Sequence, residues 1–150
     1  MKSEEFLRLL GKITIGLILT GALMQLVPFG REHANPAVVQ EPAWDSPRTR
    51  ALAKRACFNC HSNETDWPWY SNIAPVSWLT QRDVDQGRSH LNFSEWNDPL
   101  GQADDAGGEI ASGNMPPSFY LPLHPEANLT DEEKKALVRG LQKSLYAPAQ

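Results

Sequence analysis

The sequence predicts an all-α fold, a bundle of short helices behind one N-terminal helix apolar enough to enter a membrane. Three observations carry this. Helix-start signals recur: Ser46-Pro47 puts a side-chain acceptor at the N-cap and a preset φ at N1, and Thr130 with Glu133 forms a capping box. Twelve prolines and ten glycines divide the chain into short elements with irregular connections, and no βαβ pattern runs through it. The third is Cys57-Phe58-Asn59-Cys60-His61, two cysteines spaced i, i+3 with a histidine directly after, which fits one helical turn.

Residues 1–30 differ from the rest. Lys2, Arg8 and Lys12 precede an apolar run from Ile13 to Val27, interrupted by Thr14, Gly16, Thr20, Gly21 and Gln25. The run is longer than many signal-peptide cores and short of the roughly 20 residues of a full span. Counting outward to Leu9 and Phe29 reaches spanning length, provided that Lys12 snorkels. Small residues at −3 and −1 of a cleavage site are missing, because Glu32 stands two before Ala34 and Pro28 two before Gly30. The reading is an uncleaved single-pass anchor over residues 9–29. The basic flank keeps the N-terminus in the cytoplasm and places the remainder outside. Residues 31–45, with Pro36 and Pro42, read as an extended linker, and His33 within it as an exposed surface histidine.

Residues 46–146 read as one domain, with 147–150 a frayed tail. Over the whole chain, 41% hydrophobic and 21% charged residues are ordinary for a globular protein. The formal charge of −4 has no long run of one sign and gives nucleic-acid binding no support. An acidic surface favours basic protein partners. The first helix of the domain runs from Ser46 to about Cys57, with Leu52, Ala53 and Ala56 inward. Pro75 opens another helix, to about Gly87, with Trp78, Leu79 and Val84 as its apolar positions. Ser94 is a candidate N-cap for a short turn. A short helix over Asp104–Ser112 closes at Gly113, and the last runs from Asp131 to about Leu145 with Leu137, Leu141 and Leu145 buried.

The cysteine motif carries the chemistry. One turn brings both thiols to one side, where each can form a thioether with a haem vinyl group, and His61 can then reach the iron. Cys57 and Cys60 are the only cysteines, so a zinc site would lack its further ligands. All five tryptophans lie between positions 44 and 96. Trp67, Trp69, Tyr70 and Trp78 are candidates to line a haem pocket and to hold a propionate through N–H or O–H groups; plain core packing is the alternative for each. A carbonyl just ahead of Pro75 is a candidate acceptor for the free Nδ1–H of His61, with Pro75 as a simple helix starter the alternative.

The sixth iron position has four readings: Met115, His90, His124 or nothing. Met115 is preferred. It is the only methionine outside the N-terminal segment, and it stands between Gly113 and the Pro116-Pro117 pair, where a stiff loop could impose the position of a weak thioether ligand. The alternative is a gap-filling core methionine. His90 with Arg88 is the only pair suited to a peroxidase-like distal site.

The order helix, CxxCH, aromatic loop, Met-Pro and C-terminal helix resembles monohaem class I cytochromes c. More closely, the chain is similar to the small bacterial haem-binding domain family. The segments that carry this are Trp44-Asp45-Ser46-Pro47, Cys57 to Thr65, Trp67 to Leu79, Gly87 to Trp96, Gly113 to Tyr120 and His124-Pro125. The resemblance implies a cytochrome c-like bundle, one covalent haem c on Cys57 and Cys60, His61 as proximal ligand, and an anchored or secreted domain. The expected function is one-electron transfer with redox protein partners, not enzymatic turnover. A peroxidase or a gas or redox sensor with an open sixth site is the alternative.

Overall fold

The structure, a computed structural model, describes residues 3–96 and 106–145. Among these the regular elements are all helical: α1 (Ser3–Met24), α2 (Pro47–Ala56), α3 (Phe58–His61), α4 (Val76–His90), α5 (Ala106–Ser112) and α6 (Asp131–Leu145). Short 3-10 turns over Trp69–Asn72 and Pro125–Ala127 complete them. The start of the helix expected from Asp104 and the tail 147–150 lie outside the described residues. The chain divides into two compact bodies, Met1–His33 with Trp67–Arg82, and Ala34–Asp66 with Asp83–Gln150.

In the first body α1 is long and apolar enough to cross a membrane, and it buries no side chain. Its helix stops at Met24, short of the Phe29 expected from the apolar run. The chain then turns to Gly30, whose φ of 76° suits a residue without a Cβ; any Cβ there would overlap the Ser77 carbonyl at the start of α4. Gln25 pairs with one peptide unit across the body. Its Nε2 donates to the Ala74 carbonyl at 2.8 Å, and its Oε1 accepts from the Ala74 N–H at 3.1 Å. His33 is not the free surface histidine expected. Its ring stacks on Trp67, with centroids 4.8 Å apart and planes within 14°, and its Nε2 lies 2.9 Å from Ser71 Oγ.

The second body has its own core of Leu52, Ala53, Phe58, Phe93, Leu137 and Leu141, all buried. Phe58, inside the cysteine motif, stacks on Phe93 at 5.5 Å, and Trp44 closes over both rings. Leu137 and Leu141 therefore form the inward stripe of α6 as the periodicity required. α6 packs on α2 and α5. Gly140 permits the α2 contact, since a Cβ there would overlap Thr49. Residues 34–45 are extended but not a free tether. Val39 N donates to Ser94 O at 2.8 Å, Trp96 N to Gln40 O at 3.0 Å, and Asn35 Nδ2 to Thr65 O at 2.8 Å. Ser94 is buried and accepts the Asn63 N–H, so it anchors this loop rather than capping a turn.

The capping box forms as written: Glu133 N donates to Thr130 Oγ1, and Thr130 N to Glu133 Oε2. Arg55 of α2 also grips Glu133 with two N–H donors, at 2.8 and 3.0 Å. Arg55 first, and the Thr130 N–H second, hold the Glu133 carboxyl at about 2. A depressed carboxyl contributes stability above its unfolded pKa of about 4.3 and loses it as pH falls toward the folded value. Glu133→Gln should therefore lower Tm at neutral pH and flatten the fall in Tm between about pH 4 and 2. Circular dichroism melts across that range check it; parallel acid limbs in both proteins would refute it.

Candidate haem site

The site begins with how α2 ends. Ser46 Oγ accepts the Thr49 N–H at 3.2 Å and Pro47 occupies the first turn, so the helix starts where the sequence places it. Cys57 then leaves the helical path, with φ −125° and ψ −36°, while its N–H still bonds to Ala53 O. A single new turn, α3, follows: Cys60 N and His61 N both donate to Cys57 O, at 3.1 and 2.9 Å. Both thiols and the imidazole therefore leave the chain within one turn. Burial pushes the Cys57 thiol up to about 12 and the Cys60 thiol up to about 11, with the charge of Asp83 adding to the second. Both are thus protonated at neutral pH.

His61 is oriented by the backbone. Its Nδ1 lies 3.0 Å from Leu91 O, and because a carbonyl only accepts, Nδ1 carries the proton. Nε2 is then the lone-pair nitrogen. Burial lowers the His61 pKa, partly offset by the carbonyls of Leu91 and Gly87, and the neutral imidazole is the form that binds a metal. The acceptor is Leu91, not the carbonyl ahead of Pro75 considered from sequence. The reason is that α4 runs on past Gly87 to His90, which delivers the Leu91 carbonyl to the imidazole as the chain leaves the helix.

Gly87 and Arg88 make that delivery possible. A Cβ on Gly87 would overlap the Cys60 carbonyl, so only glycine lets α4 approach the motif this closely. Arg88 Nε donates to Ser62 O at 2.8 Å, and its other nitrogens reach Ala34 O, Asn35 Oδ1 and Thr65 Oγ1. The guanidinium thereby fixes the chain leaving His61 and does not form a distal pair with His90, which is exposed beside Ser89. Gly87→Ala should cost about 1–3 kcal/mol as α4 shifts to relieve the overlap. It should lower haem occupancy as well as Tm; an unchanged melting curve and full occupancy would show that the contact yields freely.

The other candidates fall in three places. Met115 follows Gly113, whose φ of 80° ends α5, and its N–H bonds to Glu109 O at 3.1 Å. At 37% exposed, its side chain is not the sealed core filler of the alternative reading. His124 is buried, stacked on Tyr120 at 3.9 Å with planes within 7°, and its Nδ1 lies 3.1 Å from Glu126 Oε1. Tyr120 Oη accepts from Asn59 Nδ2 at 2.8 Å, so this stack braces the cysteine motif itself. Trp67, Trp69, Tyr70, Pro75 and Trp78 belong to the first body. There Pro75 opens α4, with Trp78 N bonded to its carbonyl. Trp67 Nε1 and Trp78 Nε1 are buried without a hydrogen-bond partner among the described residues.

The model of the haem-binding domain matches residues 19–143. The chain belongs to this family. No curated protein and no solved structure matches it. The residues of the second body fit the family's cofactor on two counts: a paired-thiol turn and a histidine with its tautomer set. Sequence reasoning singled out the thiols, the histidine and the indoles. It did not foresee the roles of Leu91 and Gly87, weighed Arg88 for a distal pair rather than as a brace, and weighed His124 as a ligand without its link to Tyr120 and Asn59. Only Gly87 and Arg88 carried a signal, as a glycine and an arginine inside a helical pattern.

Proposed function

We propose that this haem-binding domain protein is a membrane-anchored c-type cytochrome and a one-electron carrier. The carrying observation is the His61 Nδ1 to Leu91 O bond, which supports Nε2 as the proximal iron ligand beside Cys57 and Cys60 as thioether positions. Haem c, when bound, supplies a reversible ferric–ferrous couple. The chain's residues do the rest. The carbonyl of Leu91 orients the imidazole and raises its basicity. Arg88 and the Tyr120–His124 stack keep the motif's turn rigid, so little reorganises when charge changes. Met115 is the proposed second axial ligand, supported by its exposed thioether at a helix end held by Glu109. No distal acid–base pair is assembled from Arg88 and His90, which favours electron transfer over peroxidase chemistry.

α1 is proposed as a single-pass anchor in a bacterial inner membrane, with the haem domain on the periplasmic side and redox proteins as partners. The test is the optical spectrum of the full chain matured in a host able to attach haem. A low-spin spectrum in both oxidation states, with haem that stays on the polypeptide in acidified acetone, is expected. A high-spin ferric spectrum with rapid cyanide or carbon monoxide binding would overturn the carrier reading.

A further inference from the structure

The 22 residues of α1 are long and apolar enough to cross a membrane, but the stretch that a snorkelling Lys12 leaves in the acyl region is shorter than the hydrocarbon core. From Leu9, the level that a snorkelling Lys12 allows, to Met24 the helix rises about 23 Å, against a hydrocarbon core of about 30 Å. Beyond Met24 the chain is not helical, yet it stays apolar and open: Leu26 is 76% and Phe29 53% exposed. This segment is fastened at both ends to the start of α4, by the Gln25–Ala74 pair and by the close approach of Gly30 to Ser77. The partner segment is also apolar and open, with Ile73 45% and Leu79 55% exposed and Val76 beside them. Trp69, 75% exposed, stands just before them, edge-on to Tyr70.

We propose that residues 25–30 and 73–79 form an apolar foot immersed in the membrane leaflet that α1 leaves unfilled. The occupant is lipid. The foot begins where α1 ends, in the same compact body, and offers apolar surface at the end where the helix falls short by roughly 7 Å. Irregular backbone at that depth must have its polar groups met inside the protein. Gln25 does this for both polar groups of Ala74, and Arg31 donates to Gln25 O at 3.0 Å and to Gln25 Oε1 at 2.7 Å. Arg31 and Trp69 are the residue types that settle at head-group level.

The inference rests on the anchor reading and deepens it, so the experiment separates the two. A photoreactive benzoylphenylalanine is placed in the full haem-loaded chain at Leu17, Ile73, Leu79 or, as an aqueous control, Ala111. The protein is illuminated in nanodiscs and in native membranes, and adducts are identified by peptide mass spectrometry. Acyl-chain adducts at Ile73 and Leu79 comparable to those at Leu17, and at least about tenfold above Ala111, are expected for side chains seated in the acyl region. Adducts at Leu17 alone would overturn the foot and leave the anchor standing, the bilayer thinning to fit. Crosslinks from Ile73 and Leu79 to a polypeptide or to the porphyrin would also overturn it. Absence of lipid adducts at Leu17 would remove the anchor and the foot together.

Discussion

Replacing both Cys57 and Cys60 with alanine is expected to leave a chain that holds no haem on a denaturing gel or through acidified acetone. The two thiols emerge from one turn beside His61, and the remaining chain contains no other cysteine. Each single variant should keep haem through one thioether. Its α-band should move to longer wavelength, because the unreacted vinyl group stays conjugated with the ring. The fold should tolerate the change better than most, since both cysteines are only partly buried while the adjacent Phe58 carries the core contacts. Haem staining, absorption spectra and circular dichroism on the same preparations decide the matter. Haem retained covalently by the double variant would end the c-type assignment.

Met115→Ala is the second large effect. The substitution should remove the red-edge thioether–ferric charge-transfer band, convert the ferric form to high spin, open the iron to cyanide, and lower the reduction potential, because a thioether favours ferrous iron. Stability should fall little, for the Met115 side chain is exposed and its backbone bond to Glu109 persists. His90→Ala and His124→Ala serve as controls. His90→Ala should change neither spectrum nor stability. His124→Ala should destabilise by removing the stack on Tyr120 and the contact with Glu126, while the low-spin spectrum stays. An unaltered low-spin spectrum in Met115→Ala, with loss of it in either histidine variant, would move the ligand.

How far the site could be read from residues alone depends on the range of the interactions. α2 and α6 were legible because caps act within three residues: Ser46 to Thr49, and Thr130 to Glu133. The turn at Cys57 was legible for the same reason. The acceptor for His61 was not, since Leu91 lies thirty positions away and its carbonyl is positioned by where α4 ends. That helix, expected to end at about Gly87, runs on to His90, and Gly87 is a point of close packing against Cys60. His33 was misjudged in the same way: a stacking partner at position 67 leaves no trace near position 33.

The sequence by itself determined the helical class and the apolar N-terminal helix, because both are written in residue type and short spacing. Tertiary structure alone decided which nitrogen of His61 bears the proton, which arginine braces the motif, and how the chain beyond α1 is fastened to α4. Those outcomes depend on backbone carbonyls, which every residue possesses, and only folding selects the ones that come within hydrogen-bonding distance.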